Sequence, residues 1–171
     1  TPELQEEYEA LLKEHKSNSA VFASLGKPAG FLSSKTDAML SLFHLTDEHA
    51  PAVLERLKDI VPISVFSNSR LDALLPALGI EPKWFTHILG PDMVKQPKPA
   101  LEGFHKMVEL SGMPAERILY IGDDVEKDIM PAKAVGLRTG LLWNKSDVAD
   151  CRFDDFDGIL AAFVDHVRQP L

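Results

Sequence analysis

The sequence predicts an α/β protein: a three-layer, Rossmann-like parallel sheet with helices on both faces, preceded by a helical N-terminal segment. Two observations carry that prediction. From about residue 60 onward, short apolar runs alternate with amphipathic stretches that close at glycine, the signature of βαβ units. Before that point the pattern is helical. A third observation bears on function, because the polar and charged residues cluster where the apolar runs end. Ligands gather at that edge of a parallel sheet.

Each element has its own local reason. Thr1 fits an N-cap, Pro2 and Glu3 fit a first turn, and Leu4, Tyr8, Leu11 and Leu12 share one helical face. Residues 17–36 are rich in Ser, Gly, Pro and Lys and hold one apolar patch, Ala20-Val21-Phe22. Helices are predicted over about 37–43 and 51–59. Ile63 to Phe66 reads as the first core strand, and the helix from Leu71 to Leu78 stops at Gly79. Thr86 to Leu89 is the second strand, followed by the Pro-rich loop Gln96 to Pro99. A helix over about 100–110 closes at Ser111-Gly112. Ile118 to Ile121 is the third strand, the next helix ends near Gly136, and Gly140 to Trp143 is the fourth strand. Ile159, Leu160, Phe163 and Val167 suit a terminal helix. The expected division is a helical cap segment over 1–48, itself incomplete, and an α/β core over 49–171.

Composition narrows the function classes. Hydrophobic residues make up 45% and charged residues 26%, the balance of a globular protein. A formal net charge of -8 argues against a nucleic-acid partner. No apolar run approaches the roughly 20 residues that span a bilayer, so no membrane partner is expected. The single cysteine, Cys151, precludes an internal disulfide and a cysteine-rich zinc site. A cytoplasmic location is the expectation. Oligomeric state is not legible.

The strand ends carry the chemistry. The first core strand ends at Ser67-Asn68-Ser69, and the third ends at Gly122-Asp123-Asp124 with Asp128 shortly after. Between them the loop carries Lys95 and Lys98. Adjacent carboxylates beside an apolar strand repel one another unless a cation sits among them. Mg²⁺ prefers one or two carboxylates together with substrate phosphate oxygens. Hydroxyl, amide, ammonium and carboxylates converging on one edge therefore read as a site for a small phosphorylated substrate and a divalent cation. Alone, each group has a plainer reading: Ser67-Asn68 as turn chemistry, the lysines as solvated loop charges, and the aspartates as helix N-terminal acids.

On these residues the chain resembles the haloacid dehalogenase superfamily, whose members are mostly Mg²⁺-dependent phosphatases. Val65-Phe66-Ser67-Asn68-Ser69 looks like the family's second motif, Lys98-Pro99 with Phe104 like its third, and Ile118 through Asp128 like its fourth. The resemblance covers about residues 50–171. It implies that Ser67 and the backbone after it bind the transferring phosphoryl group, with Asn68 and Lys98 also on the phosphate. Lys98 would neutralise charge there, and Asp123, Asp124 and Asp128 would hold Mg²⁺. Lys95 is the rival for the lysine role, and Leu101 replaces the family's second proline in that loop.

The family's first motif, a strand ending in Asp-x-Asp whose first aspartate attacks phosphorus, has no match before Ser67. In Ala20-Val21-Phe22-Ala23-Ser24-Leu25-Gly26, Ala23 and Leu25 stand where the aspartates belong. Asp155-Phe156-Asp157-Gly158 spells the motif, but its approach, Ala149 to Asp154, is mostly polar, and no buried strand is predicted there. Two functions follow as expectations. The first is an Mg²⁺-dependent phosphomonoesterase working through an aspartyl-phosphate, with its nucleophile upstream of Thr1. The second is a non-catalytic phosphate-, metal- or partner-binding relative with a degenerate first motif, in which Ala20 to Phe22 serves as a vestigial strand. True dehalogenation fits less well, since it needs no metal and leaves the aspartates unexplained.

Overall fold

Two short parallel sheets, rather than one continuous sheet, carry the α/β core. The computed structural model describes residues 2–15, 18–27, 31, 40 and 43–168. They fall into two compact units, Thr1–Leu42 and Phe43–Leu171.

In the first unit, α1 (Pro2–His15) and α2 (Asn18–Ser24) meet through aromatic contacts. The Tyr8 and Phe22 rings lie 6.3 Å apart, and Phe22 and Phe31 lie 5.3 Å apart. The apolar patch Ala20 to Phe22 is therefore helical and belongs to neither sheet. That removes it as a vestigial strand. The helix predicted over 37–43 lies almost entirely outside the described residues.

The second unit runs α3 (Ala50–Leu57), β1 (Ser64–Phe66), α4 (Leu71–Ala77), β2 (His87–Leu89), α5 (Glu102–Ser111) and β3 (Leu119–Gly122). A π-helical turn (Val125–Ile129) then leads into α6 (Met130–Ala134), β4 (Arg138–Leu142), β5 (Cys151–Phe153) and α7 (Phe156–Arg168). Gly79, at φ 72°, and Gly112, at φ 65°, end α4 and α5 as the sequence predicts, since left-handed backbone is cheap only without a Cβ.

Strand β1 pairs in parallel with β2, and β3 pairs with β4, which pairs with β5. No buried strand is expected over Ala149 to Asp154, and β5 there is a short, largely exposed edge strand. An edge strand needs only alternate residues inward, and here Phe153 is half-buried while Cys151 and Arg152 stay exposed. Gly140 admits the Phe153 ring, which would lie 2.8 Å from any Cβ added there. The β4–β5 register is pinned by Asp150, whose Oδ2 accepts from the Thr139 N–H at 2.8 Å and the Thr139 hydroxyl at 2.9 Å.

Helices cover both faces. On one side α5 and α6 bury Phe104, Ala132 and Leu137 against Phe66, Leu89 and the Tyr120 ring. On the other, α3 and α7 bury Val53, Leu57, Ile159 and Leu160 against Leu142 and Ile121, while α4 packs Leu71 and Leu75 on Val65 and Ile88. This is the predicted three-layer arrangement. Its departure is in the middle of the sheet. The Ser67 N–H bonds Leu89 O, so by alternation Val65 and Ser67 face β2, whereas Ser64 and Phe66 face the opposite edge. The Arg138 N–H bonds Ile118 O, which likewise turns Leu119 and Ile121 away from β4. Among the described residues no strand pairs with either of these edges. Phe104 spans the two sheets beneath them, with its ring 5.3 Å from Phe66 on β1 and 5.0 Å from Tyr120 on β3.

Candidate functional site

The loops that follow β1 and β3, together with the loop before α5, meet at the C-terminal ends of those open edges. Lys98 is the centre. Its ammonium donates to Asp128 Oδ1 at 2.6 Å and to Tyr120 Oη at 3.0 Å, with a longer contact of 3.5 Å to Phe66 O. Phe66 O belongs to the open edge of β1, so the charge sits beside the slot between the sheets. The Lys98 and Asp128 side chains are only 14% and 5% exposed. The pair is buried and hydrogen-bonded on both sides, the condition under which an interior ion pair is tolerated. The Phe66 ring lies 5.2 Å from the ammonium and adds a cation–π contact.

Asp128 reaches this position because the chain makes a π-helical turn after β3 and because residue 122 is glycine. A Cβ on Gly122 would lie 2.4 Å from Asp128 Cβ. Both Asp128 oxygens are engaged, Oδ1 by Lys98 and Tyr120 and Oδ2 by the Asp124 N–H at 3.3 Å. Asp124 caps the turn, its Oδ1 accepting from the N–H groups of Glu126 and Lys127 at 2.9 and 2.8 Å. Burial opposes the charged form of Asp124, but these bonds and the Lys127 ammonium outweigh it and hold the carboxyl below its usual range. Asp123 is exposed, and its side chain has no partner among the described residues. Its carbonyl accepts from Asn144 Nδ2 at 2.6 Å.

These commitments decide how well the aspartates fit a cation. Among the described residues, no three His, Cys, Asp or Glu side chains form a group that could hold a metal ion. Asp123 is the one member of the predicted trio whose carboxylate is left over. The described residues do not by themselves make a magnesium site.

The remaining predicted residues separate by geometry. Ser67 Oγ accepts from the Ser69 N–H at 3.0 Å, which leaves its own proton to donate outward. Asn68 turns its amide onto the backbone of Lys98. Lys95 is exposed, and only its N–H is tied down, by Glu102 Oε2 at 3.0 Å. The Asp155-x-Asp157 segment is helix-start chemistry: Asp155 Oδ1 accepts from the Gly158 N–H, and Asp157 pairs with His49. Trp143, the expected end of the fourth strand, lies just past β4, 40% exposed and left-handed at φ 64°.

Tyr120 was hidden from sequence reasoning inside an apolar strand. Burial first, then the charge of Asp128, push its phenol far above the usual range, so it remains a proton donor to Asp128. The one signal was a hydroxyl two residues before Gly122 in a strand otherwise aliphatic.

Comparison with known proteins agrees with this geometry. The haloacid dehalogenase-like hydrolase family matches residues 3–136, and the chain belongs to that family. Glyceraldehyde 3-phosphate phosphatase of Methanocaldococcus jannaschii is 37% identical over 81 residues, covering 46% of this chain and 35% of that protein. The chain thus spans about a third of the length of this curated relative. Among solved structures, a predicted phosphoglycolate phosphatase from Haemophilus somnus aligns with TM-score 0.59 and 26% identity over 68% of this chain and 56% of that one. A HAD-hydrolase of Bacillus subtilis bound to magnesium aligns with TM-score 0.72 and 19% identity over 96% of this chain and 83% of that one. At that identity the likeness is one of fold. Among the described residues no helix is long and apolar enough to cross a membrane.

Proposed function

We propose that this protein is a phosphomonoester hydrolase for a small phosphorylated metabolite, with Ser67 and Lys98 on the phosphoryl group. The observation that carries the reading is the buried Lys98 ammonium, preset beside the open edges of β1 and β3. A fixed cation at that place stabilises charge on a transferring phosphoryl group without reorganising during the reaction. The Ser67 hydroxyl has a proton to donate to a phosphoryl oxygen. In this reading the attacking aspartate arrives on a parallel strand that occupies the slot between β1 and β3, from a segment upstream of Thr1; it forms an aspartyl-phosphate as the substrate P–O bond breaks and the alcohol leaves, and water then hydrolyses that intermediate to inorganic phosphate. Such a strand would satisfy the outward backbone groups of Ser64, Phe66, Leu119 and Ile121. By pairing with Phe66 O it would also release the third Lys98 proton toward its own carboxylate. Mg²⁺ dependence is part of the proposal: among the described residues Asp123 is the ligand available, and a second carboxylate has to come with that strand. When bound, the cation would neutralise phosphoryl oxygens. Residues 1–48 act as a cap in this scheme, and the location is cytoplasmic.

The named phosphatases among the relatives suggest the first substrates to try, glyceraldehyde 3-phosphate and phosphoglycolate. The test is hydrolysis of these and other phosphomonoesters by protein from its native source, whose intact mass is compared with 18.9 kDa. Turnover that falls on the order of 10²–10³-fold in Lys98→Ala, as for loss of a preorganised charge stabiliser, supports the reading. Turnover indifferent to Lys98→Ala and Ser67→Ala sinks it. One observation favours a non-catalytic binding role instead: the carboxylate within reach of Lys98 is Asp128, and both its oxygens are already engaged. Inorganic phosphate binding without turnover by protein of matching mass would select that alternative.

A further inference from the structure

Lys98 is gripped at both ends. Asp128 and Tyr120 hold its ammonium, while Asn68, the residue after Ser67, holds its backbone. Asn68 Oδ1 accepts from the Lys98 N–H at 2.8 Å, and Asn68 Nδ2 donates to Lys98 O at 3.1 Å. A side-chain amide that pairs with both polar groups of one residue imitates a strand-to-strand bridge. The pairing also fixes the amide's orientation, because turning it over would set N–H against N–H and oxygen against oxygen. The two bonds join the loop after β1 to the loop before α5, segments 30 residues apart in sequence.

The resemblance placed Asn68 on the phosphate. We propose instead that Asn68 is a positioning residue: it sets where the Lys98 side chain starts, so that the ammonium meets Asp128, Tyr120 and the open edge of β1 together. A long, flexible side chain must be immobilised at its root as well as its tip if its charge is to be preset, since lysine otherwise keeps several rotatable bonds. The consequence for turnover rests on the phosphatase reading. The geometric claim does not.

Competitive acetylation of the full chain, read by peptide mass spectrometry, tests the geometry. Lys83 is the reference, with a side chain 78% exposed. In the wild type, Lys98 acetylates far more slowly than Lys83. In Asn68→Ala the Lys98-to-Lys83 ratio rises several-fold, and in Asn68→Asp it also rises, because that variant keeps the acceptor but turns an oxygen toward Lys98 O. Circular dichroism confirms that each variant is folded, and Asn68→Asp decides if Asn68→Ala is not. An unchanged ratio in a folded variant overturns the proposal. Inorganic phosphate titration supplies the second arm. Asn68→Ala weakens phosphate binding in the wild type but adds nothing in a Lys98→Ala background, whereas a direct phosphate ligand, or a merely structural one, would add its own loss in both. If the wild type does not bind phosphate, the phosphatase reading falls while the acetylation ratio still decides the role of Asn68.

Discussion

Strands β3 and β4 are neighbours in one sheet and similarly apolar, yet they are buried very differently. From Thr139 to Leu142 every β4 residue is buried, whereas every β3 residue from Leu119 to Gly122 is only half-buried. The difference follows from pairing. Strand β4 has β3 on one side and β5 on the other, while among the described residues β3 has a partner on one edge only. What replaces the second partner at the end of β3 is polar: Lys98, Asp128 and the Tyr120 hydroxyl. One strand is held by hydrophobic packing, the other in good part by a charge network.

Breaking the network has the largest expected effect. Asp128→Ala leaves a buried ammonium without its counter-ion and should cost about 3–5 kcal/mol of stability in urea denaturation. A loss below about 1 kcal/mol would mean that the pair behaves as an exposed one. On the hydrophobic side, Leu141→Ala removes a fully buried side chain and should cost about 3 kcal/mol. Ile121→Ala on β3, half-buried at the outset, should cost less than half as much. Equal losses at the two positions would refute the asymmetry.

Hydrogen exchange sharpens the same contrast. With the slot open, as among the described residues, the amides of Leu119 and Ile121 should exchange at least about tenfold faster than those of β4 residues, whereas the strand proposed to fill it would protect them. Protection equal to that of β4 would show that the slot is filled in solution.

The smallest effect belongs to an exposed pair outside the Lys98 network. His49 Nδ1 lies 2.5 Å from Asp157 Oδ2, with the His49 side chain 70% exposed. The Asp157 hydrogen bond and charge raise the His49 pKa. A raised folded-state pKa stabilises most below the unfolded value of about 6.5, and the gain is lost as pH rises through the folded value. The stability difference between wild type and His49→Gln should therefore be present at acidic pH and vanish under mildly alkaline conditions. A difference that grows with pH would reverse the assignment.

Much of the fold was legible because its signals are local. Apolar runs with glycine stops placed α3, β1, α4, β2, α5, β3 and α7 near their observed bounds. Strand β5 left little trace in the sequence because Cys151 and Arg152 are exposed and only Phe153 is half-buried. The helical state of Ala20 to Phe22 escaped because a short apolar patch suits either conformation. In the site, Ser67, Asp123 and Asp124 at strand ends, Asp128 shortly after, and Lys98 in the loop before α5 could be read directly. Their individual attachments could not, since Asn68 finds Lys98, and Tyr120 finds Asp128, only when separate loops meet.

By itself, the sequence determined the alternation of strands and helices, the stops at Gly79 and Gly112, and the gathering of hydroxyl, ammonium and carboxylates on one sheet edge. Periodicity, backbone freedom and residue chemistry act over a few neighbours and survive in one dimension. Tertiary structure alone decided that, among the described residues, the sheet is split between β1 and β3, Asp128 spends both oxygens within the protein, and the Asp123 carboxylate has no partner. Those outcomes depend on which distant groups compete for each hydrogen bond, and that competition is settled only when the chain has packed.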